Sequence, residues 1–78
     1  MVEVEFNYQR NKTIIQGNLN DSIKDIITKY TNQENLDINN IYFISNEKAI
    51  NNEDRLENIM SESDKINKKK IILAYSIY

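Results

Sequence analysis

Few side chains in this 78-residue sequence could do chemistry, and their spacing narrows what that chemistry would be. There is no histidine, which removes the usual metal ligand and the usual general base at neutral pH. There is no cysteine, so thiolate chemistry and a disulfide framework are both excluded, as fits a reducing compartment. Asp21 with Asp25, and Glu53 with Asp54, are paired acids of the kind that general acid–base work uses. Neither pair has a candidate nucleophile or a pocket-forming segment beside it, and Asp25 stands three residues after Ser22, where a capping role accounts for it. Lys68-Lys69-Lys70 is the one basic run. With a net charge of −2 and no interleaved aromatic residues, it reads as a solvated loop end rather than a phosphate contact. Asp54-Arg55 and Glu57 read as a turn in solvent. No catalytic, cofactor or metal site is expected, and neither an enzyme nor a nucleic-acid-binding protein.

The elements that would position a binding surface are more legible. In Ser22–Tyr30, Ile23, Ile26, Ile27 and Tyr30 fall at i, i+3, i+4 and i+7, one face of a helix, with Lys24, Asp25, Thr28 and Lys29 opposite. Ser22 followed by Asp25 reads as a capping box that marks the helix start, and Asp25 with Lys29 as an i, i+4 ion pair. A run this short and this rich in β-branched residues needs tertiary burial to be stable. Asn32 or Asn35 can supply the left-handed residue that ends it.

Around the helix the spacing predicts strands. Met1–Tyr8 alternates, Val2, Val4, Phe6 and Tyr8 against Glu3, Glu5 and Asn7. A turn over Gln9–Lys12, not one of the Gly-dependent types, leads to Thr13–Gln16, with Ile15 and Leu19 expected inward, Ile14 outward, and Gly17 leaving a gap or a bulge. Leu36 and Ile38 return to the core, Ile41–Ile44 is a strand, and Ser45–Lys48 turns into a short segment at Ala49-Ile50. Leu56, Ile59 and Met60 have the spacing of a helical turn, and Ser61–Lys69 reads as a charged loop with nothing to bury. The continuous apolar run Ile71–Tyr75 belongs at the centre of the sheet. One helix covers one sheet face, so the expected class is α+β: a mixed sheet of four to five strands packed on one helix, its other face open.

Seventy-eight residues form one domain, residues 1–78, with a small core. Asn and Ile together make up about a third of the chain, which reads as the coding bias of an AT-rich genome, because the apolar residues keep their periodicity. No apolar run is long enough to cross a bilayer, and MVEVEF alternates where a signal peptide would be continuously apolar. A monomeric cytoplasmic or nuclear domain with no membrane partner is expected.

The order of elements, with the stretches TIIQGNLNDSIKDII, LDINNIYFISNEKAI and KKIILAYS, resembles the ubiquitin and small-ubiquitin-like-modifier family over nearly the whole chain. Asp21-Ser22-Ile23 resembles the family's helix start, Leu36–Asn40 the link after it, and Ile41–Ile50 its third strand and following turn. The resemblance implies the β-grasp fold. Three departures stand out: Ser76-Ile77-Tyr78 replaces a diglycine tail, so attachment to a target is not expected; Asn46-Glu47 stands where the family commonly has Gly; and Ser61–Lys70 is longer than the family's loop. The implied function is a non-conjugated ubiquitin-like module, an adaptor docking a larger protein onto receptors of the ubiquitin system or onto an assembly. A domain packed permanently in a larger protein and a free modifier are the alternatives.

Alternation sets Ile41 and Phe43 against Tyr42 and Ile44; with Phe43 facing the helix, Tyr42 and Ile44 face solvent, and the same alternation sends Ile71, Leu73 and Tyr75 inward and Ile72 and Ala74 outward. Tyr42, Ile44, Ile72 and Ala74 are then the expected protein-binding patch, at positions resembling the surface through which ubiquitin is recognised. A second, lower-ranked surface is the groove between Ile14–Asn18 and the helix, where small ubiquitin-like modifiers take an extended peptide; Lys24 is its one basic flank.

Overall fold

In a computed structural model, which describes residues 1–77, the chain runs β1 (Val2–Tyr8), β2 (Asn11–Gly17), α1 (Ile23–Glu34), β3 (Ile41–Ser45), β4 (Lys48–Ala49), α2 (Glu62–Asn67) and β5 (Lys69–Ser76). Tyr78 lies outside the described residues. Single 3-10 turns at Ile38–Asn40 and Leu56–Ile59 precede β3 and α2. The five strands form one sheet in the order β2-β1-β5-β3-β4, with β1 and β5 parallel and the other pairs antiparallel. The α+β β-grasp expected from the sequence is what forms, with β5 at its centre.

Helix α1 starts and ends where its side chains allow. Ser22 Oγ accepts the Asp25 N–H at 3.2 Å, leaving the first turn one fewer unpaired donor. Asp54 and Leu56 pin the same point, with Ile23 N–H donating to the Asp54 carbonyl and Leu56 N–H to that of Asp21. Asn35 takes the left-handed conformation (φ 56°), so Leu36 N–H reaches back to the Thr31 carbonyl at 2.8 Å and closes the helix. The helix is a turn longer than the stripe Ile23–Tyr30 suggests, and the Asp25–Lys29 ion pair is not among the salt bridges of the described residues. An exposed i, i+4 pair gains little by holding two solvated side chains together.

The apolar face of α1 covers Val2, Val4, Phe6, Ile15, Ile41, Phe43, Ile72 and Ala74 of the sheet, and Leu56 and Met60 close the end of the core. At its centre Phe6 and Tyr30 stack at 4.2 Å, with Phe43 edge-on to both. Gly17 marks no bulge, since β2 stays in register with β1 through Val2. A Cβ there would stand 3.2 Å from Ile26 Cδ1, so the missing side chain lets α1 lie close on β2. Leu19 and Ile38, expected in the core, stay largely exposed because each sits in a connection beyond the ends of the sheet.

Both hairpin turns are two residues long, with positive φ at Gln9 and Arg10 and at Asn46 and Glu47. Positive φ at both central residues is the type I′ pattern, whose twist suits paired strands and which normally recruits Asn and Gly. Asn46 suits it, whereas at Gln9, Arg10 and Glu47 strand pairing imposes it on side chains that tolerate it less well.

Candidate protein-binding face

Strand register decides which residues reach the uncovered side of the sheet. Phe6 lies opposite Ile72 and Phe43 opposite Ala74, and residues directly opposite one another point to the same face. Both phenylalanines face α1, so Ile72 (0% exposed) and Ala74 (4%) are in the core and not on the expected patch. Ile71, Leu73 and Tyr75, at 38–48% exposure, take the outer side instead. Tyr42 and Ile44 lie where the sequence places them, Tyr42 exposed and Ile44 half-buried.

The open face is therefore built in rows across the sheet. Tyr42 is opposite Tyr75, their rings stacked with centroids 5.5 Å apart. Leu73 is opposite Ile44, which is in turn opposite Ala49. Ile71 is opposite Glu5, and Glu5 opposite Ile14. Six apolar side chains, Tyr42, Ile44, Ala49, Ile71, Leu73 and Tyr75, thus adjoin on β3, β4 and β5, while β1 and β2 bring mostly polar groups, with Ile14 the apolar exception. Of these six, Ile71, Leu73 and Tyr75 were assigned to the wrong side by alternation alone. An unbroken apolar run carries no phase; the phase comes from Phe6 and Phe43 through pairing.

Glu5 sets the boundary between the two halves. Its carboxylate is nearly enclosed, 3.4 Å from Lys69 Nζ and 3.8 Å from Lys12 Nζ, and accepts a hydrogen bond from Asn7 at 3.2 Å. Burial alone would push its pKa up, but the Asn7 hydrogen bond and the two ammoniums outweigh burial and hold it below the ordinary carboxylate value. The polar half thus keeps a charge triad of its own beside the apolar half.

The lysine run does not behave as one feature. Lys68 is the left-handed residue ending α2 (φ 55°), Lys69 joins Glu5 on the open face, and Lys70 is buried on the helix side. Lys70 Nζ is held by Asn46 Oδ1 and Asp64 Oδ2, each at 3.2 Å. Asp64 comes from α2, whose reciprocal Ser61/Asp64 capping box replaces the featureless loop expected there. Desolvation opposes the Asp64 charge, yet the Ser61 N–H and the Lys70 ammonium hold its pKa below the ordinary value. As expected, no residue of this segment is itself buried; what α2 supplies is the partner of the buried Lys70.

Asp21 and Arg55 have structural roles. Asp21 Oδ2 accepts the Asn18 N–H at 2.9 Å, and the Arg55 guanidinium donates to the Asn20 carbonyl at 2.6 Å, so the expected solvent turn at Arg55 instead braces the helix start. Among the described residues no three acids cluster closely enough to hold a metal ion, and no helix is long and apolar enough to cross a membrane. Strand β2, beside α1, is an outer strand of the sheet, the topological position the second expected surface requires.

No family model matches the sequence, and no curated protein does. Among solved structures the chain is similar to ATBAG1 in its crystal structure in complex with HSP70, with a TM-score of 0.77 at 12% identity over 97% of this chain. The fold is ubiquitin-like. The match covers 40% of the ATBAG1 chain, so this domain spans less than half of that protein's length.

Proposed function

We infer that this chain is a ubiquitin-like interaction module that binds other proteins through the open face of its sheet, at Tyr42, Ile44, Ile71, Leu73 and Tyr75. The observation that carries the reading is the adjacency of these side chains across β3 and β5. Scattered surface apolar residues are ordinary, whereas a contiguous patch with a polar border is what interfaces use. The similarity to part of ATBAG1, a longer chain solved with a protein partner, supports a domain carried within a larger protein. Its role is that of a non-catalytic adaptor in the cytoplasm or nucleus, and receptors of the ubiquitin system are the first partner class to try.

Titration of the isotope-labelled chain with purified ubiquitin-binding domains tests this. Shifts centred on Ile44, Ile71 and Leu73, abolished in a folded Leu73→Asp variant and retained in Lys24→Glu, are the expected result. Shifts confined to β2 and the facing side of α1, lost in Lys24→Glu instead, overturn the assignment of the face. The alternative, permanent packing of the same face inside a parent protein, gives no shifts with any free receptor and full protection of these residues in the parent.

A further inference from the structure

Beside the open face, at the end of the sheet, α2 and the β3–β4 turn enclose a cleft of about 460 Å³ lined by Ser61, Asp64, Asn67, Lys69, Lys70 and Asn46. We propose that Ser61 is a phosphorylation site for an acid-directed serine/threonine kinase, and that the Lys69/Lys70 cleft receives its phosphate.

Three observations meet at this residue. Ser61 is exposed and followed by Glu62 and Asp64 at the first and third positions after it, the charge pattern by which a kinase with a basic substrate groove selects a serine. Met60 (φ −99°, ψ 134°) and Ser61 (φ −75°, ψ 170°) already have extended backbones. The helix that follows has only six residues, none of them buried, and is too short to be stable alone, so its cap and the Asp64–Lys70 pair are what must yield for the segment to open and reach a kinase groove. Most decisively, the cleft beside Ser61 holds an ammonium that is weakly screened by solvent: the Lys70 side chain is 5% exposed. Two of its three N–H groups go to Asn46 and Asp64, and the third is available to a further acceptor.

In the transfer, Ser61 Oγ attacks the γ-phosphorus of a nucleoside triphosphate. The Oγ–P bond forms, the bond from that phosphorus to the β,γ-bridging oxygen breaks, and the nucleoside diphosphate leaves while the hydroxyl proton passes through the kinase's base to solvent. The product brings a charge near −2 and three acceptor oxygens into the cleft. Asp64 and Glu62 oppose that charge, but Glu62 is exposed and shared with Lys65 at 4.0 Å, whereas Lys70 is buried. The phosphate therefore competes with Asp64 for Lys70 and with Glu5 for Lys69.

The 78-residue chain is incubated with an acid-directed kinase and ATP, and the label is mapped by fragment mass; in parallel, the chain is made by total synthesis with phosphoserine at position 61 and titrated by phosphorus NMR. The expected outcome is label at Ser61, and a phosphate pKa about one unit lower in this chain than in its Lys70→Met counterpart, since a nearby ammonium favours the dianion. Label at Ser63 or elsewhere with none at Ser61 overturns the site. Equal phosphate pKa values in the two synthetic chains overturn the cleft as its receptor.

Discussion

Alternate residues of β5 face two different surroundings. Lys70, Ile72 and Ala74 are buried on the side of the sheet that α1 occupies, while Lys69, Ile71, Leu73 and Tyr75 line the open face. Composition hardly separates the two sets, since each begins with lysine and continues with apolar side chains. What separates them is context: on the inner side a lysine must find Asp64 and Asn46, and on the outer side an isoleucine can remain half in water. The same residue type thus carries stability at one position and availability at the next.

The largest effect expected from this contrast is on unfolding. Ile72→Ala removes buried methyl and methylene groups next to Phe6 and should cost about 2–5 kcal/mol in a denaturant titration, whereas Ile71→Ala should stay within about 0.5 kcal/mol. Equal losses at the two positions would break the distinction between the faces.

The lysines give the second contrast. Asp64→Ala leaves the Lys70 ammonium buried with Asn46 alone and should destabilise by about 1–3 kcal/mol, less than a fully enclosed pair because Asp64 is 29% exposed. Lys70→Met, which takes the charge away and keeps the shape, should cost far less. Lys69→Met should cost under about 1 kcal/mol, because Glu5 keeps Lys12 and Asn7. If Lys69→Met were more damaging than Asp64→Ala, the buried ion pair would not be what anchors α2.

Acid should report the same two carboxylates. Glu5 and Asp64 have folded pKa values below their ordinary ones of 4.5 and 3.8. A depressed folded value means the unfolded chain takes up protons first, so the stability these groups contribute is complete above their ordinary values and is lost as the pH falls through the folded ones. Urea midpoints measured from pH 6 down to pH 2 should fall mainly below about pH 4.5, and Lys70→Met should flatten the part of that fall due to Asp64. An unchanged slope in Lys70→Met would separate Asp64 from Lys70.

How much of this was legible in the sequence follows from where the information sits. The α1 stripe, the left-handed Asn35 and the inward Phe43 are written in local spacing. The two Ser-x-x-Asp signatures make the sharpest comparison. At Ser22 the signature precedes an isoleucine stripe and the spacing predicts a helix, whereas at Ser61 the same signature precedes Glu62, Ser63 and Lys65 and the spacing predicts a loop. Periodicity had nothing to detect there, because the helix is fixed by its cap and by a lysine from another element. The phase of β5 was hidden for a related reason, since placing Ile72 inward also places Lys70 inward, a choice that is sound only once Asp64 is known to meet it. The expected patch inherited that error at Ile72 and Ala74, which face α1, while Tyr42 and Ile44 do face away from it, on the far side of the strand from Phe43.

The smallest effect tests whether the open face is a surface or only a set of exposed residues. Tyr42 and Tyr75 are directly opposite on neighbouring strands and their rings stack. Such a cross-strand aromatic pair should couple by about 0.5–1 kcal/mol in a double-mutant cycle of Tyr42→Ala, Tyr75→Ala and the double variant. Coupling of that size in the isolated domain means the two rings are ordered against each other before any partner arrives, so a partner would meet a preformed aromatic platform. A coupling indistinguishable from zero would mean the rings move independently in water, and any partner would then have to order them as it binds, at a cost in affinity of about 0.5–1.5 kcal/mol for each ring immobilised.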